Sequence, residues 1–562
     1  MSIRAERILA EAVAWGLLLG LCAWALHAAL AQAATQTWPF FHDAWRDVSV
    51  AQGILDGRYP EDPVILGATL WYNPLTGAMN ALYAWMTGET AAQANVSSGP
   101  WINLLIPLGF FLFLRIGFGA WTAAAGALFL IAGNALHDRT GTWVTTTTYS
   151  PFLWAPHLGQ ALFFIALAFF AAELRHGRWS SRVGLGIAWG LTFMAHTSPA
   201  IVFGALYVLM QAWELFRTRP AGTNEWRTRL LHAVSPIAIA FVSSLPYTYS
   251  ILWNYQFRMK NITPTRYVDR VAGLDQLPGL LAEAANWTTF VAVIGVVALW
   301  RMRKRVPAAR LLLLWTALVL GFLAQFYLNL VLVARWGFGL PQLVPGHHHL
   351  INLGGVKAAL FGAGLVALAG LAAKLFARGN AERIPATRSA SAVLLLVVAS
   401  IVLLPAYAKQ LHFSTPMDFG WHTESFEDRR ECVDWILANC PPDAVFLCDE
   451  QHSIRLVMPA ARKAVQNIDI FSNPYVTYED RVAAKFAMYD AFLRGDDAAF
   501  RQLAEEWHVT HLLVLEDRFN EDGTKENRLS FEQVEAAARP YTALAYHEDG
   551  IAIYRIAFGD GA

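Results

Sequence analysis

Apolar residues run through most of this chain in long unbroken blocks, with neither the alternation of a half-buried strand nor the single stripe of a surface helix. A helix that crosses a bilayer needs about 20 apolar residues. Eleven segments approach or meet that length: 8–31, 100–116, 118–135, 156–174, 183–197, 199–216, 231–253, 287–300, 309–334, 349–376 and 390–409. The pattern predicts a polytopic α-helical membrane protein of about 11 spans. The first block outruns the roughly 7–15 residues of a signal-peptide core, so it reads as a retained helix. Beyond residue 411 the pattern changes. Strand candidates at Ala444–Cys448, Lys463–Ile468, His511–Leu515, Thr542–Tyr546 and Ile551–Ile556 alternate with helix candidates at Glu427–Ala438, Tyr478–Arg494, Asp497–Glu506 and Phe531–Ala538. Such alternation predicts a soluble α/β domain. The expected organisation is a transmembrane body at 1–411, with a long first loop at 32–99, followed by an α/β domain at 412–562.

Composition agrees. Of the 562 residues, 56% are hydrophobic and 15% charged, against roughly one quarter charged in a soluble domain. The net charge is zero but unevenly spread: residues 1–411 carry 29 Lys and Arg against 16 Asp and Glu, and residues 412–562 carry 14 against 27. Membrane lipids are the expected surroundings, and no nucleic-acid partner is expected. Cytoplasmic loops collect Lys and Arg. With the N-terminus inside, the inner loops hold Arg115; Arg175, Arg178 and Arg182; Arg217, Arg219, Arg227 and Arg229; Arg301, Arg303, Lys304, Arg305 and Arg310; and Lys374, Arg378, Arg383 and Arg388. Eleven spans then put the acidic domain outside the cytoplasm, at a plasma or inner membrane. The four cysteines fit no zinc spacing and read as structural thiols.

The polar constellations fall on the outer side. The first loop opens with Pro39-Phe40-Phe41-His42-Asp43-Ala44-Trp45-Arg46-Asp47 and continues through two amphipathic segments, 48–57 and 73–85, that suit the membrane interface. The second outer loop repeats a His-Asp pair at His137-Asp138 and ends at His157. A late loop holds Arg335 and His347-His348-His349, and Lys357 follows within the next apolar block. An ionisable residue in a span faces the bundle interior or a cavity by default.

An acid just outside the first helix, interfacial helices in a long first loop, an acid in the second outer loop, cationic or histidine residues in a late loop and a soluble C-terminal domain together resemble the GT-C superfamily of glycosyltransferases. That superfamily includes the protein O-mannosyltransferases and the aminoarabinose transferase of lipid A. The stretch from Asp43 through Gly57 to Asn73-Pro74-Leu75 carries the local likeness. Alanine follows Asp43, where a paired-acid motif would place a second acid. The resemblance implies a polyprenyl-phosphate-linked sugar as donor and a glycan, lipid or protein as acceptor.

Transfer of this kind needs a base within hydrogen-bond reach of the acceptor hydroxyl. Asp43 is the candidate, and Asp is also a favoured cap for a helix starting near Ala44. The leaving phosphate needs cationic donors, for which Arg335, His347, His348, His349 and Lys357 are the candidates, with Arg258 and Lys260 further back. His42, Asp47, Asp138 and His157 would orient donor or acceptor. Asp43, His42, Asp138 and His157 would alternatively hold a divalent metal ion. Three adjacent histidines on a helix point in different directions and suit one ion poorly. Two other readings stay open: a transporter or flippase of lipid-linked sugars, and a ligase or polymerase of surface polysaccharide.

Overall fold

A computed structural model of the chain describes residues 3–36, 38–39, 42–133, 149–218, 223–262, 274–275, 277–341, 346–377, 384–413, 430–515 and 529–558. The chain divides into two compact units. The first comprises Met1–Thr35, Gly99–Leu245 and Val268–Phe419, and the second comprises Gln36–Ser98, Pro246–Tyr267 and Gly420–Ala562.

Among the described residues, each of the eleven apolar segments is mostly helical. Among the described residues, seven helices are long and apolar enough to cross a membrane: Arg4–Ala33, Ala91–Phe118, Ala155–His176, Thr197–Arg217, Pro307–Trp336, His348–Phe376 and Ala386–Lys409. An eighth is reached if the bent pair Thr223–Ser243 and Leu245–Asn254 is one span. Ala120–Gly133 and Trp287–Met302 are shorter apolar helices, and the segment at 183–197 is the 17-residue helix Trp179–Ala195.

Aromatic rings fill the core of the first unit. Phe163 and Trp315 lie 5.3 Å apart between centroids, Phe110 and Phe164 4.9 Å, and Phe129 stacks on Phe361 at 4.6 Å. Glycine permits one very close helix crossing. A Cβ on Gly295 would meet the Leu360 carbonyl oxygen at 2.0 Å, and one on Gly364 would meet that of Val291 at 1.9 Å. The helices Trp287–Met302 and Gly346–Phe376 therefore touch backbone to backbone, as small residues allow in membranes. Glu11 pairs with Arg115 at 2.8 Å, Glu173 with Arg182 at 3.3 Å and Glu214 with Arg310 at 2.6 Å.

The second unit is built on a five-stranded sheet. Its strands are β1 (Val445–Leu447), β2 (Lys463–Ala464), β3 (His511–Leu515), β4 (Thr542–Glu548) and β5 (Ile551–Ile556), in the order β2-β1-β3-β5-β4. β2, β1 and β3 are parallel, and β5 and β4 are antiparallel additions. The first loop is part of the same core. Trp45, Val48 and Ala51 from the helix His42–Leu55 are buried with Ile436, Phe446, Ile454 and Ile553. That helix packs on Leu75–Thr87, where a Cβ on Gly77 would fall 2.5 Å from Val50 Cγ1. Polar ties complete the join: Ala464 N–H donates to Val64 O at 2.8 Å, Arg462 pairs with Asp56 at 2.9 Å, and Lys463 Nζ donates to Asp62 O. All four cysteines are buried thiols.

Candidate functional site

The helix His42–Leu55 opens with His42 and Asp43, so Asp43 lies in its first turn and not at the cap. Negative charge is favoured there by the helix dipole. One turn on, Arg46 points back: its Nη1 donates to Asp43 Oδ1 at 2.8 Å, and its Nη2 lies 3.4 Å from Asp47 Oδ1. The two carboxylates differ in surroundings. The Asp43 side chain is 37% exposed and that of Asp47 is 1% exposed. Among the described residues Asp43 Oδ2 has no hydrogen-bond partner, so one oxygen is anchored by Arg46 and the other is not.

Arg46 is itself held between rings. Its guanidinium carbon sits 3.5 Å from the Tyr72 ring centroid and 5.1 Å from that of Phe471, a cation–π arrangement. Burial works against the charge, but Tyr72, Asp43 and Asp47 outweigh it, and the guanidinium is held above its usual range. Burial pushes the Tyr72 phenol up, with Arg46 opposing. Behind this group a small cleft is lined by Arg46, Asp62, Tyr72, Met458, Asn467 and Phe471. Burial raises the Asp62 carboxyl, while N–H groups of Val64 and Ile65, the charge of Lys463 and the Asn473 amide lower it. Asp62 is thus a satisfied structural acid.

The other candidates belong mostly to the first unit. His157 is buried near the start of the helix Ala155–His176, with Nδ1 3.0 Å from Phe152 O and its ring edge-on to Trp154 at 5.1 Å. His349 is buried and stacks on Phe322 at 4.9 Å. The His348 ring lies 4.8 Å from that of His196. A Cβ on Gly159 would meet His196 Cβ at 2.7 Å, so the turn at His196 is wedged against the helix that bears His157. The sequence suggests only a capping or interfacial role for His196. The cap is present, with Ser198 N–H donating to His196 Nδ1 at 3.3 Å, but its place between the His157 helix and His348 is a tertiary fact. Lys357 Nζ lies 5.7 Å from the Phe129 ring centroid, and Arg335 is exposed in the last turn of Pro307–Trp336. Neither makes an ion pair among the described residues. Asp138 and the side chains of His42 and His347 lie outside the described residues. Among the described residues, no group of three or more His, Cys, Asp or Glu is placed to hold a metal ion.

Arg46 is the site residue that the candidate set drawn from the sequence omits. Its signal was local, an arginine three residues after the acid on one helix, but its aromatic partners lie 26 and 425 residues away.

No protein-family model matches the chain, and no curated protein does. Solved structures do. ArnT from Cupriavidus metallidurans bound to undecaprenyl phosphate matches with a TM-score of 0.53 at 15% identity, over 96% of this chain and 98% of that one. Its apo state gives 0.52 at 16% identity over the same shares. The Archaeoglobus fulgidus oligosaccharyltransferase tethered to an acceptor peptide containing the NVT sequon gives 0.51 at 11% identity, over 90% of this chain and 69% of that one. The chain therefore shares the fold of these proteins.

Proposed function

We propose that this chain is a membrane glycosyltransferase that moves a sugar from a polyprenyl-phosphate donor to an acceptor on the extracytoplasmic face, with Asp43 as general base. The observation that carries the reading is the Asp43 carboxylate, 37% exposed and with one oxygen fixed by Arg46. The fold adds support, since one protein that shares it was solved with undecaprenyl phosphate bound.

In this reading Asp43 Oδ2 takes the proton of an acceptor hydroxyl. The resulting nucleophile attacks the anomeric carbon from the face opposite the phosphate. The new C–O bond forms as the bond to the phosphate oxygen breaks, configuration inverts, and polyprenyl phosphate leaves with the electron pair. Arg335, His347, His348, His349 and Lys357 are the groups proposed to stabilise that phosphate. His42, Asp47, Asp138 and His157 are proposed to orient the two substrates. Arg46 keeps Asp43 in a fixed rotamer. The N-terminus is cytoplasmic and the α/β domain extracytoplasmic.

The test is sugar transfer by purified, reconstituted protein offered a panel of polyprenyl-phosphate sugars and membrane extract as acceptor. Asp43→Asn is expected to lower turnover by roughly 10²–10⁴-fold with the thermal unfolding midpoint kept. Full activity in that variant would move the base elsewhere. Lipid-linked sugar crossing the bilayer with no transfer would replace the enzyme by a transporter.

A further inference from the structure

Residues 246–262 form a short hook that the second unit grips from behind. Tyr255 stacks on Tyr475 at 4.4 Å and 12°, and its hydroxyl donates to Thr69 O and accepts from Asn473 Nδ2 at 3.0 Å. The N–H groups of Lys260 and Asn261 both donate to Pro474 O, at 2.9 and 3.0 Å. Asn261 is buried, and its Nδ2 donates to Ser472 Oγ at 2.7 Å. Between these anchors the chain reverses through two consecutive left-handed residues, Gln256 and Phe257, with φ of 52° and 55°. Non-glycine residues adopt that conformation at a cost and persist in it only where the surroundings fix them.

What the hook displays is unusual for a surface that faces water. Tyr249, Trp253, Phe257, Met259 and Ile262 are 53–64% exposed, and the rings of Tyr249 and Trp253 are parallel at 5.3 Å. Arg258 and Lys260 are exposed between the last three. From 246 to 262 there is no Asp or Glu. The hook begins within the bent pair Thr223–Ser243 and Leu245–Asn254, which together form a membrane-length apolar segment.

We propose that this hook seats in an anionic lipid surface, with its aromatic and aliphatic side chains at the headgroup boundary and Arg258 and Lys260 on lipid phosphates. Trp and Tyr favour that depth, and basic residues interleaved with apolar ones without acids match an anionic leaflet. Continuity with a membrane-length apolar segment and the one-sided charge favour lipid over a soluble protein partner. The grip from Tyr475, Ser472 and Pro474 makes the hook a fixed element of the second unit, so lipid contact there would act on the fold that carries Asp43. The inference does not depend on glycosyl transfer.

The test uses the full chain in lipid nanodiscs. The native cysteines are all buried, so Met259→Cys accepts a bimane label selectively. Arg494→Cys, exposed at the end of the helix Tyr478–Arg494, serves as the control. The Met259 label is expected to be quenched by shallow doxyl lipids about two-fold or more over the control, and to resist aqueous iodide. Quenching is expected to rise when phosphatidylglycerol is added to phosphatidylcholine, and Arg258→Glu with Lys260→Glu is expected to abolish that rise. A label open to iodide and untouched by doxyl lipid would overturn the proposal and favour a soluble partner. Doxyl quenching that ignores both lipid charge and the double substitution would overturn its anionic part. Neither failure bears on Asp43.

Discussion

Arg46 is where the chemistry of the first loop is decided, because one cation answers two carboxylates of different exposure. Removing one partner of a buried ion pair costs roughly 3–5 kcal/mol, since the other charge is left in a poor solvent. Asp47 is that other charge. Arg46→Ala is therefore expected to lower the unfolding midpoint clearly, and Arg46→Ala with Asp47→Ala to recover part of the loss in a double-mutant cycle. Equal midpoints for wild type and Arg46→Ala would show that the triad does not support the helix. Arg46→Lys keeps the charge but cannot bridge both acids or stack as a plane on Tyr72, so an intermediate value is expected. A second residue sets acid sensitivity. Burial, helped by Arg555, lowers His511 from 6.5 to about 4. The folded state thus holds it neutral. Its contribution is fully present above pH 6.5 and is lost as pH falls toward 4; at ~1.4 kcal/mol per pH unit the interval amounts to ~3 kcal/mol. His511→Leu, which keeps an apolar body against Phe446, is expected to flatten the slope of stability between pH 6.5 and about 4. An unchanged slope in urea unfolding would assign it to other groups.

At the scale of elements, backbone contact between the helices Trp287–Met302 and Gly346–Phe376 predicts a sharp contrast among glycines. Gly364→Ala places a methyl where the Val291 carbonyl oxygen already lies, whereas Gly321→Ala on Pro307–Trp336 meets nothing within 4 Å. The first is expected to force the helices apart, at a cost of ~1–3 kcal/mol as for overpacked cores, and the second to be neutral. Detergent-melting curves of the two variants would settle it, and equal midpoints would mean that the crossing is softer than its geometry. None of this was legible in the chain, because a glycine in an apolar run does not reveal which backbone approaches it. What was legible is local. The helices Tyr478–Arg494 and Asp497–Glu506 and the strands His511–Leu515 and Ile551–Ile556 sit where periodicity put them. The expected strand Lys463–Ile468 shrinks to Lys463–Ala464, because Gln466 and Asn467 turn into side-chain hydrogen bonds with Glu450, Tyr478 and Ser453. Asp43 was legible as an acid at the edge of a membrane; its anchoring was only half so, since Arg46 is three residues away but Phe471 enters from a distant part of the chain.

Across the whole chain, the first unit sorts its polar groups by helix end, and this supports an orientation. The helix Ala155–His176 bears His157 in its opening turns and Glu173, paired with Arg182, near its close. The helix Thr197–Thr218 starts beside His196 and ends at Glu214, paired with Arg310, and Arg217. The helix Gly346–Phe376 starts with its histidines and ends at Lys374. Arginine and lysine thus gather where these helices end, together with His176, while His157, His196, His348 and His349 lie where they begin. By the rule that short cytoplasmic loops hold the Lys and Arg, the closing ends are expected to face the cytoplasm. The histidines at the opening ends are then expected to face outward, as the proposed site requires. On the proposed topology, with the N-terminus inside, the α/β domain is expected outside. An alkaline phosphatase fused after residue 558 is expected to be active and a green fluorescent protein at the same point dark, with the opposite result for fusions after residue 377, in the loop that follows Gly346–Phe376. A fluorescent C-terminal fusion would reverse the topology. It would place Asp43 among cytoplasmic groups and remove the case for an extracytoplasmic acceptor, even if transfer itself were measured.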